Sequence, residues 1–292
     1  MIDNFILGDN QFFGINHHCR KSGEKKAEQF GSVEKIIEIM KFAKRQGAGG
    51  VMLSSHEKTR DIIRAMLKDD ELANDFNIYP NIPYLMKYVQ KSTQGGMIGL
   101  LKFVLGRSGF RWDNIKRLSW GGLGLIRKDF RMVMTCALDF EMSMYHGAKV
   151  KAIFLHNGIV DLILGLGLYE IFIEFRDYIQ NHYGAIAGFG TLNLTKLVQA
   201  LGQIGLRNPL IMAPFNAMGF HMNPSQKVCE EVAMSNGITL LAMNVLASGA
   251  LDPQTAFKYV SQFKKIQHVV IGTSSHAHIA ESYGLAKKCL GI

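Results

Sequence analysis

AIAGFGTLNLTKLVQALGQIGLRNPLIMAPFN, residues 185 to 216, decides how the chain folds. It opens on a short apolar run, Ala185 to Phe189, that stops at Gly190-Thr191. A helical stretch follows from Leu194 to Leu201, with apolar residues three and four apart. A second apolar run, Leu210 to Ala213, then ends in Phe215-Asn216. Strand, helix and strand in this order make a βα repeat.

The same pattern extends in both directions. Toward the C-terminus come helix Ser225 to Ser235, strand Thr239 to Met243 and helix Pro253 to Phe263, then strand Val269 to Ile271 and a last helix through His278 and Ile279. Toward the N-terminus, strand Val150 to Leu155 ends in His156-Asn157 and is separated from residue 185 by helix Leu168 to His182. The first three strands are Phe5 to Leu7, Gly50 to Leu53 and Ile78 to Ile82. Helices Ser32 to Gln46 and Lys58 to Lys68 lie between them, and helix Lys128 to His146 precedes strand four. Eight strands in repeated βα units predict an α/β fold of the (β/α)₈ TIM-barrel type, a single domain over residues 1–292 with an insertion after strand three. The rival is an open doubly wound sheet. It is disfavoured because no strand runs into a G-x-G-x-x-G turn.

Composition narrows the function classes. With 292 residues, 48% hydrophobic and 20% charged, the chain suits a globular protein with a large core. Cys19, Cys136, Cys229 and Cys289 are scattered without a C-x-x-C pair, which disfavours a cysteine-built metal site and points to a reducing compartment. MIDNFILGDN lacks the basic start and apolar core of a signal peptide. The longest apolar stretch, Val160 to Ile173, is interrupted by Asp161 and Glu170 and falls short of a membrane span. A cytoplasmic protein is expected. The net charge is +9, and Lys91, Lys102, Arg107, Arg111, Lys116, Arg117, Arg127, Lys128 and Arg131 are opposed only by Asp113 and Asp129. Residues 91–131 are therefore expected to favour an anionic ligand or surface. No zinc-finger spacing or RNA-binding aromatic motif points to nucleic acid. Within the 90–130 insertion, GGMIGLLKFVLGRSGFRW (Gly95 to Trp112) is basic and amphipathic. It reads as a lid, a membrane-surface helix or a helix packed outside the barrel.

A barrel collects its chemistry at the C-terminal ends of its strands. Those ends carry Asp9, Asn10, His17, Ser54, His56, Tyr84, His156, Asn157, Thr191, Asn193, Phe215, Asn216, Asn244, Ser248, Thr273 and Ser274. NVLASG and GTSS, after strands seven and eight, lie where many barrels hold phosphate. Gly272-Thr273-Ser274-Ser275 has two readings: a cup of N–H and hydroxyl groups for phosphate, or Ser274 or Ser275 as the N-cap of the last helix. His17 and His18 are adjacent, so on an extended segment they point apart, and no metal site is expected. Asn10 and Gln11 are expected to meet substrate from the first loop, with His17 nearby. Lys151 starts strand four, the wrong end for chemistry, while Lys87, just beyond strand three, is a nucleophile candidate.

The second half resembles the aldo-keto reductases, (β/α)₈ barrels that reduce carbonyls with NADPH. IAGFGTLNLTKLVQAL is similar to that family's strand-five segment, and IMAPFNAMGF to its strand-six segment. MNVLASGALDP resembles its pyrophosphate loop, and VVIGTSSHAHIAES its last strand with the adenosine-phosphate loop. The resemblance implies NADP or NAD as cofactor. It implies contacts from Thr191, Asn193, Phe215, Leu246, Ser248, Gly249, Gly272, Thr273, Ser274, Ser275 and His278, with Thr191 and Asn193 at the carboxamide and Phe215 stacked on the ring.

The family's catalytic set is an Asp and a Tyr after strand two, a Lys on strand three and a His on strand four. IFLHNG matches the last of these and implies His156. GVMLSSHEKTRDIIRAML carries neither the Asp nor the Tyr, so His56, Tyr84 and Lys87 join His156 as catalytic candidates. His278 stands where an Arg usually meets the 2′-phosphate. The expected activity is a nicotinamide-dependent oxidoreductase acting on a carbonyl or alcohol, with a non-standard catalytic set. A non-redox barrel enzyme on a phosphorylated substrate is the alternative, and a non-catalytic barrel binding anions through residues 91–131 is a third reading.

Overall fold

The computed structural model describes residues 1–14, 30–83, 130–273 and 275–291. Its centre is a closed barrel of eight parallel strands in sequence order: β1 Phe5–Gly8, β2 Gly50–Ser54, β3 Asn77–Ile82, β4 Ala152–Leu155, β5 Ile186–Gly190, β6 Leu210–Pro214, β7 Thr239–Met243 and β8 His268–Gly272. The ring closes where β1 pairs with β8, from Phe5 opposite Val269 to Gly8 opposite Gly272. The described helices around it are α1 Val33–Gln46, α2 Thr59–Met66, α3 Phe130–Met142, α4 Asn157–Leu166, α5 Glu170–Tyr178, α6 Leu194–Gln203, α7 Gln226–Ala233, α8 Pro253–Val260 and α9 His276–Leu290.

Period-two alternation divides the apolar residues between two cores. Ile6, Met52, Tyr79, Phe154, Leu210, Met212, Leu241 and Val270 fill the barrel interior. Their neighbours Leu7, Val51, Leu53, Ile153, Ile211, Ala213, Val269 and Ile271 face the helices. Strands with apolar residues on both faces read as continuous apolar runs, which is why they stand out in the sequence. Gly188 is required by this packing, because a Cβ there would lie 2.5 Å from the Phe154 ring. Gly8 lets β1 and β8 meet, since its Cβ would sit 3.1 Å from the Gly272 nitrogen.

The N-terminal end of the barrel is locked by polar groups. The Asp3 carboxylate accepts from Lys151 Nζ at 2.7 Å, Asn77 Nδ2 at 2.8 Å and the Tyr79 hydroxyl at 2.5 Å. Burial pushes the Asp3 pKa up, but these donors outweigh it and hold the group below its ordinary value. Lys151 therefore serves structure at the end opposite the strand rims, as its place in the sequence implies.

Two elements differ from expectation. The stretch after strand four forms a separate helix, α4, whose Leu162 and Leu166 are exposed, so apolar residues on both faces hide its amphipathic period. The helix expected over Leu168 to His182 runs as α5 and then closes in a π turn, Ile179–Tyr183. The insertion after strand three lies outside the described residues apart from the start of α3 at Phe130. Among the described residues, no helix is long and apolar enough to cross a membrane.

Candidate functional site at the C-terminal barrel mouth

The site is set by which residues alternation turns inward at the last level of each strand. Ser54 follows Met52, Asn81 follows Tyr79, His156 follows Phe154 and Gly272 follows Val270, each two residues above an interior side chain. Ser54 pairs in register with Asn81, and the His156 N–H donates to Ile82 O at 2.9 Å. The rims of β2, β3 and β4 are thus contiguous.

His156 is both rim residue and N-cap. Its Nδ1 accepts from the Gly158 N–H at 3.1 Å, at the start of α4. A nitrogen that accepts carries no proton, so the neutral ring is the Nε2–H tautomer. Burial pushes the His156 pKa below its ordinary value, and Asp161 opposes that in part. The ring is a neutral donor near pH 7.

Asp9 supplies a carboxyl that the sequence reading placed among the strand ends but did not select. Its Oδ2 accepts from the Ser54 N–H at 2.5 Å, where β1 turns away from β2. Asp9 is 5% exposed, and burial pushes its pKa up to about 6, against the pull of the Ser54 hydrogen bonds. The family that the sequence resembles draws its Asp from strand two. Here strand two presents Ser54, and the neighbouring carboxyl comes from strand one. Strand three ends at Ile82, and its inward residue at the rim is Asn81.

Gln11 covers the β1–β8 side. Its Nε2 donates to Gly272 O at 3.0 Å and lies 3.9 Å from where a Gly272 Cβ would be. Gln11 Oε1, Asn81 Oδ1 and Thr273 Oγ1 are buried and have no hydrogen-bond partner among the described residues.

His56 lies beside this arc, half-buried. Its ring stacks on Phe13 at 4.2 Å, and its Nδ1 accepts from the Lys58 N–H at 3.3 Å. Asn10 is exposed on the first loop. Tyr84, Lys87, His17 and Ser274 lie outside the described residues.

The residues expected around a cofactor separate into two groups. Thr191 is fully buried: its hydroxyl donates to Asp161 Oδ1 at 2.6 Å and accepts from the Asn193 N–H at 2.8 Å. Asp161 Oδ2 also takes the Leu192 N–H at 3.1 Å, so this carboxylate clamps the loop after β5 to α4. Phe215 falls on the outward parity of β6, with its ring stacked on Tyr259 at 5.5 Å and edge-on to Phe263 at 4.9 Å. That position holds the barrel to α8 and offers no ring face to the mouth. Both the N–H and the hydroxyl of Ser248 donate to Asn244 Oδ1, at 2.8 and 3.1 Å. Ser275 is the N-cap of α9, its Oγ accepting from the His278 N–H at 3.2 Å. Of the two readings of GTSS, the cap is therefore realised, and the His278 side chain is exposed.

The second group remains open to a ligand. The Asn193 carboxamide makes no hydrogen bond to a described residue and is half-buried. Gly249 is exposed with φ 93°, next to Ser248 at φ 58° and the half-buried Leu246, in a loop only a glycine follows easily. Gly272 and Thr273 close β8. Among the described residues no group of His, Cys, Asp and Glu could hold a metal ion.

Comparison with solved structures places this architecture. A protein assigned as an aldo-keto reductase from Pseudomonas aeruginosa superposes with TM-score 0.61 at 13% identity, over 98% of this chain and 90% of that one. The fold is that of the aldo-keto reductases. An aldo/keto reductase from Brucella melitensis gives 0.53 at 10% identity over 99% and 92%. The Gox0644 protein in complex with NADPH gives 0.52 at 9% identity over 97% and 83%. No family model and no curated protein matches the sequence. The aldo-keto reductase fold is thus carried here by a sequence that ends strand four in His156.

Proposed function

We propose that this barrel is an oxidoreductase that uses a nicotinamide cofactor, NADP or NAD, on a carbonyl or alcohol. One observation carries the reading: His156 stands inward at the β4 rim of an aldo-keto reductase fold, held neutral with its proton on Nε2. The bound cofactor would supply hydride. Reduction leaves negative charge on the substrate oxygen, which must take a proton. His156 donates from Nε2 or orients that oxygen, while the Gly158 N–H fixes the plane of the ring. Asp9, titrating near neutrality beneath Ser54, is placed to return protons to the rim.

The residues present fit the cofactor in part. Among the described residues the buried Thr273 hydroxyl has no hydrogen-bond partner, and the Asn193 carboxamide has capacity to spare. Asn193, Gly249, Gly272 and Thr273 would hold the group. Thr191, Phe215, Ser248 and Ser275 would support those residues from behind.

Fluorescence and thermal-shift titrations of the full chain with NADPH and NADH test the reading. Saturable binding of either, weakened at least tenfold by Thr273→Glu, is the expected result. No binding of either at millimolar concentration defeats it. A second reading, non-redox chemistry on a phosphorylated substrate, is favoured by the Ser54 and Asn81 rims, where the family has its Asp and Lys. It requires that inorganic phosphate or a sugar phosphate raise the melting temperature while the dinucleotides do not.

A further inference from the structure

The π turn Ile179–Tyr183 closes α5 just before β5 begins, at the end of the barrel opposite the strand rims. Such turns are rare and gather at functional sites. This one has a definite effect on three side chains. In an α-helix, positions four apart share a face, which brings Tyr178 and His182 together and carries the fifth position away. The wider turn, with its i→i+5 pattern, swings Tyr183 round to join them. All three meet Asp139 of α3. The Tyr178 hydroxyl donates to Asp139 Oδ1 at 2.6 Å, and the Tyr183 hydroxyl donates to the same oxygen at 2.5 Å. His182 Nε2 stands 3.8 Å from it. The rings brace one another: His182 stacks on Tyr178 at 5.0 Å and meets Tyr183 edge-on at 4.8 Å. The Asp139 side chain is 13% exposed and that of His182 50%, so the cluster is sheltered on one side and open on the other.

One phenol would be enough to staple the turn to α3. Two phenols and an imidazole around a single carboxylate oxygen are also a set of metal ligands. Donors bound to one first-row cation lie about 2 Å from it, hence within about 4 Å of each other. The three distances to Asp139 Oδ1 fall inside that limit. Asp139 and His182 alone are too few to hold an ion, and the phenols complete the set.

We propose that Asp139, Tyr178, His182 and Tyr183 form a binding site for a hard trivalent cation, ferric iron. The ligand chemistry selects it. The set contains no thiolate, so it suits neither copper(I) nor an iron–sulfur cluster. A free phenol keeps its proton until about pH 10, and ligands must be deprotonated to bind. Displacing two such protons near neutrality takes a cation of high charge, which Fe(III) supplies and Zn(II) or Mg(II) does not. The exchange balances. Two phenol protons pass to solvent, and two phenolates with the Asp139 carboxylate cancel the three charges of the metal. His182 adds a neutral nitrogen, no electron moves, and the remaining coordination positions go to water. The site lies at the pole of the barrel away from His156, so the redox reading neither needs it nor fails with it.

The test is a titration of the full chain with ferric nitrilotriacetate, read by visible absorption and resonance Raman scattering. Expected are a single Fe(III) bound per chain, a phenolate-to-iron charge-transfer band and tyrosinate vibrations enhanced within it. Tyr178→Phe and Tyr183→Phe should each weaken the band and lower affinity at least about tenfold, and the double variant should lose the band. His182→Gln leaves both phenol hydrogen bonds in place, so it should keep the melting temperature nearly unchanged and still lose affinity about tenfold. No band in the wild type overturns the proposal. A band of wild-type strength in either single Phe variant places the iron elsewhere and overturns it too, as does tighter binding of Zn(II) than of Fe(III). Where a Phe variant fails to fold, His182→Gln decides: unchanged iron affinity leaves the cluster as a hydrogen-bonded staple only.

Discussion

The Asp9 carboxylate receives the Ser54 backbone N–H at 2.5 Å, so the end of strand one caps the end of strand two inside a buried mouth. This bond continues the β1–β2 ladder after β1 has turned away, and it does so with a group that titrates.

That titration should be visible in stability. Burial raises the Asp9 pKa from 3.8 to about 6. Between those values the folded chain holds a proton that the unfolded chain has lost. Asp9 therefore adds stability that is complete below about pH 4 and lost as pH rises through 6, on the order of 2–3 kcal/mol. Asp9→Asn keeps an acceptor for Ser54 and removes the charge. Urea unfolding of the variant at pH 4.5 and pH 7 should show the fall between the two pH values reduced by most of that amount. An unchanged fall would mean that Asp9 is not buried in solution.

His156 titrates in the opposite sense. Burial holds its pKa below 6.5, so its contribution to stability is present above that pH and lost as pH falls through the folded value. Protonation also removes the Nδ1 acceptor from Gly158. His156→Gln should lower turnover about 100-fold or more, with cofactor affinity changed less than about twofold. Steady-state kinetics beside a binding titration checks both, and equal losses in the two would point to a structural role alone.

The Asp3 cluster should matter only for folding. Asp3→Ala strands Lys151, Asn77 and Tyr79 around a missing carboxylate and should cost roughly 2–4 kcal/mol. Ligand binding at the opposite end of the barrel should survive in whatever fraction stays folded. Chemical denaturation with a parallel binding titration separates the two effects.

Ser275 distinguishes capping from phosphate binding. Ser275→Ala removes the acceptor of the His278 N–H and should cost about 1 kcal/mol of stability. Ser275→Asp restores the cap and adds negative charge. If Ser275 only caps, the Asp variant binds NADPH with at most a few-fold loss. A loss of two orders of magnitude would put phosphate directly on Ser275.

How far the site could be read from sequence follows from what each residue depends on. His156 was legible because its position needs only strand four, its apolar run and the residue that ends it. The cap at Ser275 was legible only as one of two readings, shared with Ser274, since a cap is satisfied within three residues. Thr191 and Phe215 were not. Thr191 is held by Asp161, thirty residues away in sequence, and only the seating of α4 against the loop after β5 brings them together. Phe215 looked like a rim aromatic, but one step of strand parity turns it toward Tyr259 and Phe263. Asp9 and Asn81 went unselected because nothing local marks either side chain as buried, and the Ser54 N–H that Asp9 accepts is 45 residues away.

By itself, then, the sequence determined the eight staves, their order and the rim on which the polar residues would gather. Those depend on period-two apolar runs, on turn residues and on short connections, all of them local. Only the closed barrel decided which rim residues face the mouth, which are spent on holding loops and which remain unpaired. These outcomes depend on parity relative to the barrel axis and on partners brought close by packing, which no stretch of chain carries within itself.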